Sequence, residues 1–114
     1  MQRKWEGELV ACQTLSDATW EANVTRSNGP VLVLFHAPWA GPALLALMQF
    51  IVASEEVDKD VNVRFGTFDI DNNPHIPHKF GLKSVPSFML FDGDVLKKIK
   101  VGHIPAKIIM EMVA

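Results

Sequence analysis

Hydrophobic and polar positions along this chain fall into blocks, and each block has its own period. Val31-Leu32-Val33-Leu34-Phe35 is apolar without alternation, as expected of a central strand covered on both faces. Before it, Leu9-Val10-Ala11-Cys12 is a short strand candidate. Ser16-Asp17 then offers an N-cap for a helix of about ten residues through Trp20 and Val24. Ser27-Asn28-Gly29-Pro30 stops that helix. After the central strand, Pro38 to Pro42 predicts a turn, and a long helix continues to Val57. A polar break, Asp58-Lys59-Asp60, precedes the alternating Val61-Asn62-Val63-Arg64-Phe65, which runs into Gly66-Thr67-Phe68-Asp69-Ile70 as the next strand. Asp71-Asn72-Asn73-Pro74 is expected to cap a short helical segment ending at Phe80-Gly81. Ser87-Phe88-Met89-Leu90-Phe91, the turn Asp92-Gly93-Asp94, and Val95-Leu96-Lys97-Lys98-Ile99 predict a β-hairpin. Pro105 opens a final helix through Ile108, Ile109 and Met112.

The predicted order is β-α-β-α-β-α-β-β-α, which implies an α/β protein with a central mixed sheet flanked by helices. No repeat, linker or low-complexity stretch interrupts it, so residues 1–114 are expected to form a single domain.

Composition narrows the function without naming it. The formal net charge is -2, from 11 basic and 13 acidic residues, which leaves no electrostatic footprint for nucleic acid or an anionic membrane. Lys97-Lys98 reads as a solvated strand edge. The apolar run from Ala43 to Ala53 is too short to span a bilayer. Met1 to Glu6 is charged and no apolar stretch follows it, so it does not read as a secretory signal, and a cytoplasmic setting is expected. One cysteine, Cys12, excludes an intramolecular disulfide and a four-thiolate metal site. It reads as a buried small hydrophobe.

The motifs carry more. The central strand is followed by Ala37-Pro38-Trp39-Ala40-Gly41-Pro42-Ala43 and a helix. Downstream come Asp69-Ile70-Asp71-Asn72-Asn73-Pro74, then Lys79-Phe80-Gly81-Leu82 with Val85-Pro86-Ser87-Phe88, and finally Val101-Gly102. In this order they resemble the thioredoxin family over nearly the whole chain. The resemblance implies the thioredoxin fold and a parent that exchanges protein disulfides, supplied with electrons by a donor of the thioredoxin-reductase type. It implies that Ala40 and Ala43 stand where the family has its nucleophilic and resolving cysteines. It implies an apolar groove for an extended peptide around Trp39, Gly41, Pro42, Val85, Pro86, Gly102 and His103, with Pro86 as the cis-proline. Val85 would offer its backbone to the peptide by β-augmentation.

That reaction needs a thiolate at a helix N-terminus and a second thiol to resolve the mixed disulfide. Alanine supplies neither, so dithiol chemistry is impossible at this turn. Relative to the family, Leu34 replaces a buried acid that relays a proton, Thr67 the lysine that pairs with it, His36 a frequent aromatic and Leu44 a frequent lysine. Losing acid and lysine together is chemically coherent, since either alone would be an unpaired buried charge. With Trp39, Gly41, Pro42 and Pro86 all kept, two alanines read as a deliberate cysteine-to-alanine substitution in a redox-active parent. The alternative is a natural, non-enzymatic binding or scaffold module that keeps the groove.

Leu44-Leu45-Ala46-Leu47-Met48 is apolar around most of a helix, which predicts burial between sheet and neighbours, with Leu44 adding to a partner surface. His75 and His78 are spaced i,i+3 near Asp69 and Asp71, but no third ligand is specified; solvent-exposed histidines are expected and no metal or cofactor is assigned.

Overall fold

The computed structural model describes residues 12–39, 41 and 43–114. Five strands, β1 (Cys12–Leu15), β2 (Val31–His36), β3 (Arg64–Asp69), β4 (Ser87–Asp92) and β5 (Val95–Val101), form one sheet in the order β1-β3-β2-β4-β5. The β1–β3 and β2–β3 pairs are parallel, and the β2–β4 and β4–β5 pairs antiparallel. Helices α1 (Ala43–Glu56), α2 (His75–Lys79) and α3 (Ala106–Met112) complete the described framework, together with a single π-helical turn, Glu21–Thr25.

The unbroken apolar run of β2 has the predicted cause. Val31 through Phe35 are fully buried, and successive side chains feed opposite faces of the sheet. Leu32 and Leu34 join Phe65, Phe88 and Leu90 beneath α1 and α3, which contribute Ala46, Phe50, Ala53, Ile109 and Met112. Val31, Val33 and Phe35 face the other way, into a cluster with Trp20, Val24, Phe68, Ile76 and Phe91. Trp20 meets Phe91 edge-on at 4.9 Å and Phe68 at 5.8 Å, a preferred aromatic geometry.

Several boundaries depart from the sequence expectation. The first strand lies at Cys12–Leu15; residues 9–11 of its predicted span are outside the described residues. Cys12 is half-buried at the margin of the α1–α3 core rather than enclosed by it. The first helix shrinks to one π-helical turn, because Ser16 and Thr19 hydrogen-bond each other and hold the preceding residues in a turn. Val61–Val63 stay outside β3: the N–H of Val61 donates to the Asp58 carbonyl and that of the buried Val63 to the Val61 carbonyl, local turns in place of ladder bonds. The hairpin, α3 and the exposed Lys97-Lys98 edge match expectation.

The start of α2 is the most informative correction. No side chain from Asp71 to Pro74 caps it. Both oxygens of the distant Asp17 do, accepting the N–H groups of His75 and Ile76 at 2.9 Å each. The Asn73 side chain in turn accepts the Asp17 N–H at 3.0 Å and donates to the Asp69 carbonyl at 3.0 Å. One carboxylate therefore satisfies two orphan amides of a helix end from far along the chain.

A glycine shapes the edge of the sheet. A Cβ on Gly66 would lie 2.4 Å from Leu15 Cδ1, so the bare backbone of β3 opens the notch into which the last residue of β1 leans.

Candidate functional site

Strand register brings the singled-out segments to one end of the sheet. His36, the last residue of β2, pairs with Asp69, the last of β3. Phe35 pairs with Ser87 at the start of β4, and Ser87 with Val101 at the end of β5. The loops leaving or entering there carry Trp39, Asp71, Pro86 and Gly102. In open α/β sheets this is the end where ligand-binding loops gather.

Ala40 and Pro42 lie outside the described residues. Trp39 is 67% exposed, yet its indole N–H donates to Asp71 Oδ1 at 2.6 Å. Asp71 is itself held by a turn in which its N–H donates to Asp69 Oδ1 at 2.9 Å. Gly41 is exposed with open space around it, and Ala43 begins α1 half-buried. Across the sheet end, the Val85–Pro86 peptide is cis. Pro86 is buried, and its carbonyl accepts the N–H of Gly102 at 2.8 Å. Gly102 has φ +93°, a conformation that glycine adopts without steric cost, so the chain can turn there directly after β5. Val85 packs against the aromatic core, and His103 is exposed. The hydrogen bonds thus form two pairs, Trp39 with Asp71 and Pro86 with Gly102, on loops from the same sheet end.

Inward from this sheet end the core is closed and apolar. Leu34 is fully buried and faces Thr67 across β3 and Phe88 across β4, in the core that Ala46 and Phe50 of α1 complete. No titratable side chain stands at either Leu34 or Thr67. His36, two register steps along at the end of β2, is half-buried; burial holds its pKa below the ordinary 6.5, and the nearby Asp69 carboxylate partly opposes that shift. The Trp39–Asp71 bond and the half-buried His36 had no sequence signal beyond the presence of those residues.

His75 and His78 are exposed, as expected. Among the described residues, no three His, Cys, Asp or Glu side chains are grouped to hold a metal ion. Among the same residues, no helix is long and apolar enough to cross a membrane. Cys12 sits on the edge strand β1, with β3 between it and the strand that leads into the turn.

The thioredoxin family profile matches residues 11–114. The chain belongs to the thioredoxin family. It is 40% identical over 90 residues to a thioredoxin of Rickettsia bellii, covering 77% of this chain and 82% of that protein. To a thioredoxin of Acidithiobacillus ferridurans it is 36% identical over 89 residues, covering 77% and 80%. To the chloroplastic thioredoxin M2 of Arabidopsis thaliana it is 31% identical over 93 residues, covering 82% of this chain but 49% of that one. The chain thus spans about half the length of its chloroplastic relative. The mixed five-stranded sheet with its flanking helices is the thioredoxin fold. Within that family, a turn with Ala40 and Ala43 and a chain with a single cysteine cannot cycle between dithiol and disulfide.

Proposed function

We propose that this protein keeps the peptide-docking end of a thioredoxin while lacking its reaction, and that its parent was a protein-disulfide oxidoreductase. In that parent, position 40 attacks a substrate disulfide, position 43 resolves the mixed disulfide, and a reductase of the thioredoxin-reductase type returns the electrons. The two alanines are then substitutions in a redox-active chain. The observation that carries this reading is the intact frame. Trp39 is fixed by Asp71, and Pro86, preceded by a cis bond, is fixed to Gly102, on the loops gathered at this sheet end. An extended peptide lying over Trp39, Gly41, Pro42 and Pro86, and against Gly102 and His103, would pair with the Val85 backbone.

A second reading has its own support. A natural scaffold that binds partners and never exchanges disulfides has no use for a proton relay, and Leu34 with Thr67 leaves none. One experiment separates the two. The double substitution Ala40→Cys/Ala43→Cys is assayed for insulin reduction with dithiothreitol as donor. Turnover above the dithiothreitol background, slower than that of a typical thioredoxin because Leu34 cannot relay a proton, supports the oxidoreductase parent. A folded double variant with no turnover sinks it and leaves the scaffold. For the groove, a pull-down with the unaltered chain should weaken on Trp39→Ala and on Pro86→Ala; capture undiminished by both removes the docking assignment.

A further inference from the structure

Helix α1 does not follow the burial expected of it. Ala46, Phe50, Ala53 and Ser54 are buried on one side, and the Gln49 side chain accepts the N–H of Ala106 at 2.8 Å, fastening the helix to α3. On the opposite side Leu44, Leu45, Met48, Ile51 and Val52 are exposed, from 70% at Leu44 to 36% at Val52. At 100° per residue they form one stripe about 120° wide. A single surface leucine needs no explanation, but five contiguous large aliphatic side chains on one helix do.

We propose that this stripe is an interface between two copies of the chain, packed with their α1 helices antiparallel about a two-fold axis at Met48. The spacing of the apolar positions carries the assignment. Relative to Met48 they stand at -4, -3, +3 and +4, so the pattern reads the same from both ends. A two-fold interface pairs residue i with j and j with i. Leu44 of each copy then meets Val52 of the other, Leu45 meets Ile51, and the two Met48 side chains meet on the axis.

Charge fits the same arrangement. Glu55 and Glu56 are exposed at the C-terminal end of α1, where they oppose the helix dipole, and α1 has no acidic residue in its first turn and no basic residue in its last. Among the described residues neither glutamate has a salt-bridge partner. In the antiparallel pair, Glu55 of each copy lies at the first turn of the other's α1, where the free N–H groups favour an anion. A parallel pair would instead set four glutamates side by side. Burying the stripe on both copies removes on the order of 1,000 Å² of surface, the lower edge of what a specific interface needs, so the dimer is weak and concentration-dependent. The proposal is independent of the redox history of positions 40 and 43.

Sedimentation equilibrium tests it directly. The average mass of the unaltered chain should rise from 12.7 kDa towards twice that value between about 5 and 500 µM. Met48→Glu, which sets two carboxylates on the axis, and Ile51→Lys should each keep the mass at the monomer value, with unchanged circular dichroism because both sites are exposed. Orientation is read by oxidative cross-linking in a Cys12→Ser background. Met48→Cys should cross-link, Leu44→Cys alone should not, and Leu44→Cys with Val52→Cys should. Eight helical residues separate positions 44 and 52 by about 12 Å, too far for a bridge within one chain. An unaltered chain that stays monomeric to 500 µM, or dimers that survive both surface substitutions, overturns the proposal and assigns the stripe to a different occupant. Cross-linking through Leu44→Cys alone overturns the antiparallel arrangement.

Discussion

Trp39 and Leu34 stand five residues apart on one strand and the turn that follows it, and the structure handles them in opposite ways. At the rim, an exposed tryptophan is held by a named partner, Asp71, although nothing about burial requires it to be held. At the floor, Leu34 has no exposure and lies between Phe88 and Thr67 on neighbouring strands. The rim preserves shape and hydrogen bonding. The floor is packed and presents no titratable side chain at Leu34 or Thr67. A surface that binds needs only what the rim keeps, and a surface that also reacts needs a titratable group as well.

The comparison breaks most visibly if charge is returned to the floor. Leu34→Asp should destabilise the fold by about 3–5 kcal/mol, since the carboxylate would be buried with no cation opposite it at Thr67. Urea denaturation measures this, and a loss under about 1 kcal/mol would mean that water reaches the floor. A smaller effect is expected at the rim. Asp71→Ala removes a hydrogen bond at the surface, so stability should fall by only about 0.5–1 kcal/mol, while the fluorescence of Trp39 changes and peptide capture weakens. Unchanged capture would show that binding does not need the indole fixed.

The smallest expected effect lies between rim and floor, at His36. Burial lowers its folded-state pKa below 6.5, with Asp69 opposing, so the unfolded chain takes up the proton first as pH falls. His36 therefore contributes stability that is fully present above 6.5, declines as pH falls below it, and is lost once pH passes the folded-state value. A His36→Phe variant should show a shallower decline of stability over that acid interval. An unaltered slope would place the imidazole in a more watery setting than β2 and β3 give it.

The elements that could be read from the sequence were those whose signal is local. The unbroken apolar run gave β2, the Asp92-Gly93-Asp94 turn gave the hairpin, and Pro105 marked the start of α3. Where the deciding partner is distant, local reading failed. Asp17 resembled the cap of its own helix, but its carboxylate is committed to His75 and Ile76. Val61-Asn62-Val63 alternates like a strand, yet β3 begins only at Arg64, where pairing with Val31 starts. Helix α1 looked buried all round because apolar content counts residues and not neighbours; the sheet and α3 cover only one side of it. At the site, the motifs located Trp39, Pro86 and Gly102, whereas Asp71 became a partner of Trp39 only through the pairing of β2 with β3.

Gly66 has a consequence for how the edge of the sheet assembles. Its missing side chain makes room for Leu15, which a Cβ there would displace, so the notch bears on how β1 is seated. A slip of one residue would turn every side chain of β1 to the wrong face. A slip of two would present Gln13 or Asp17 to an apolar recess lined by Phe68 and Trp20. The observed alignment alone sets an apolar side chain in that recess, and the absent methyl group is what gives it room there.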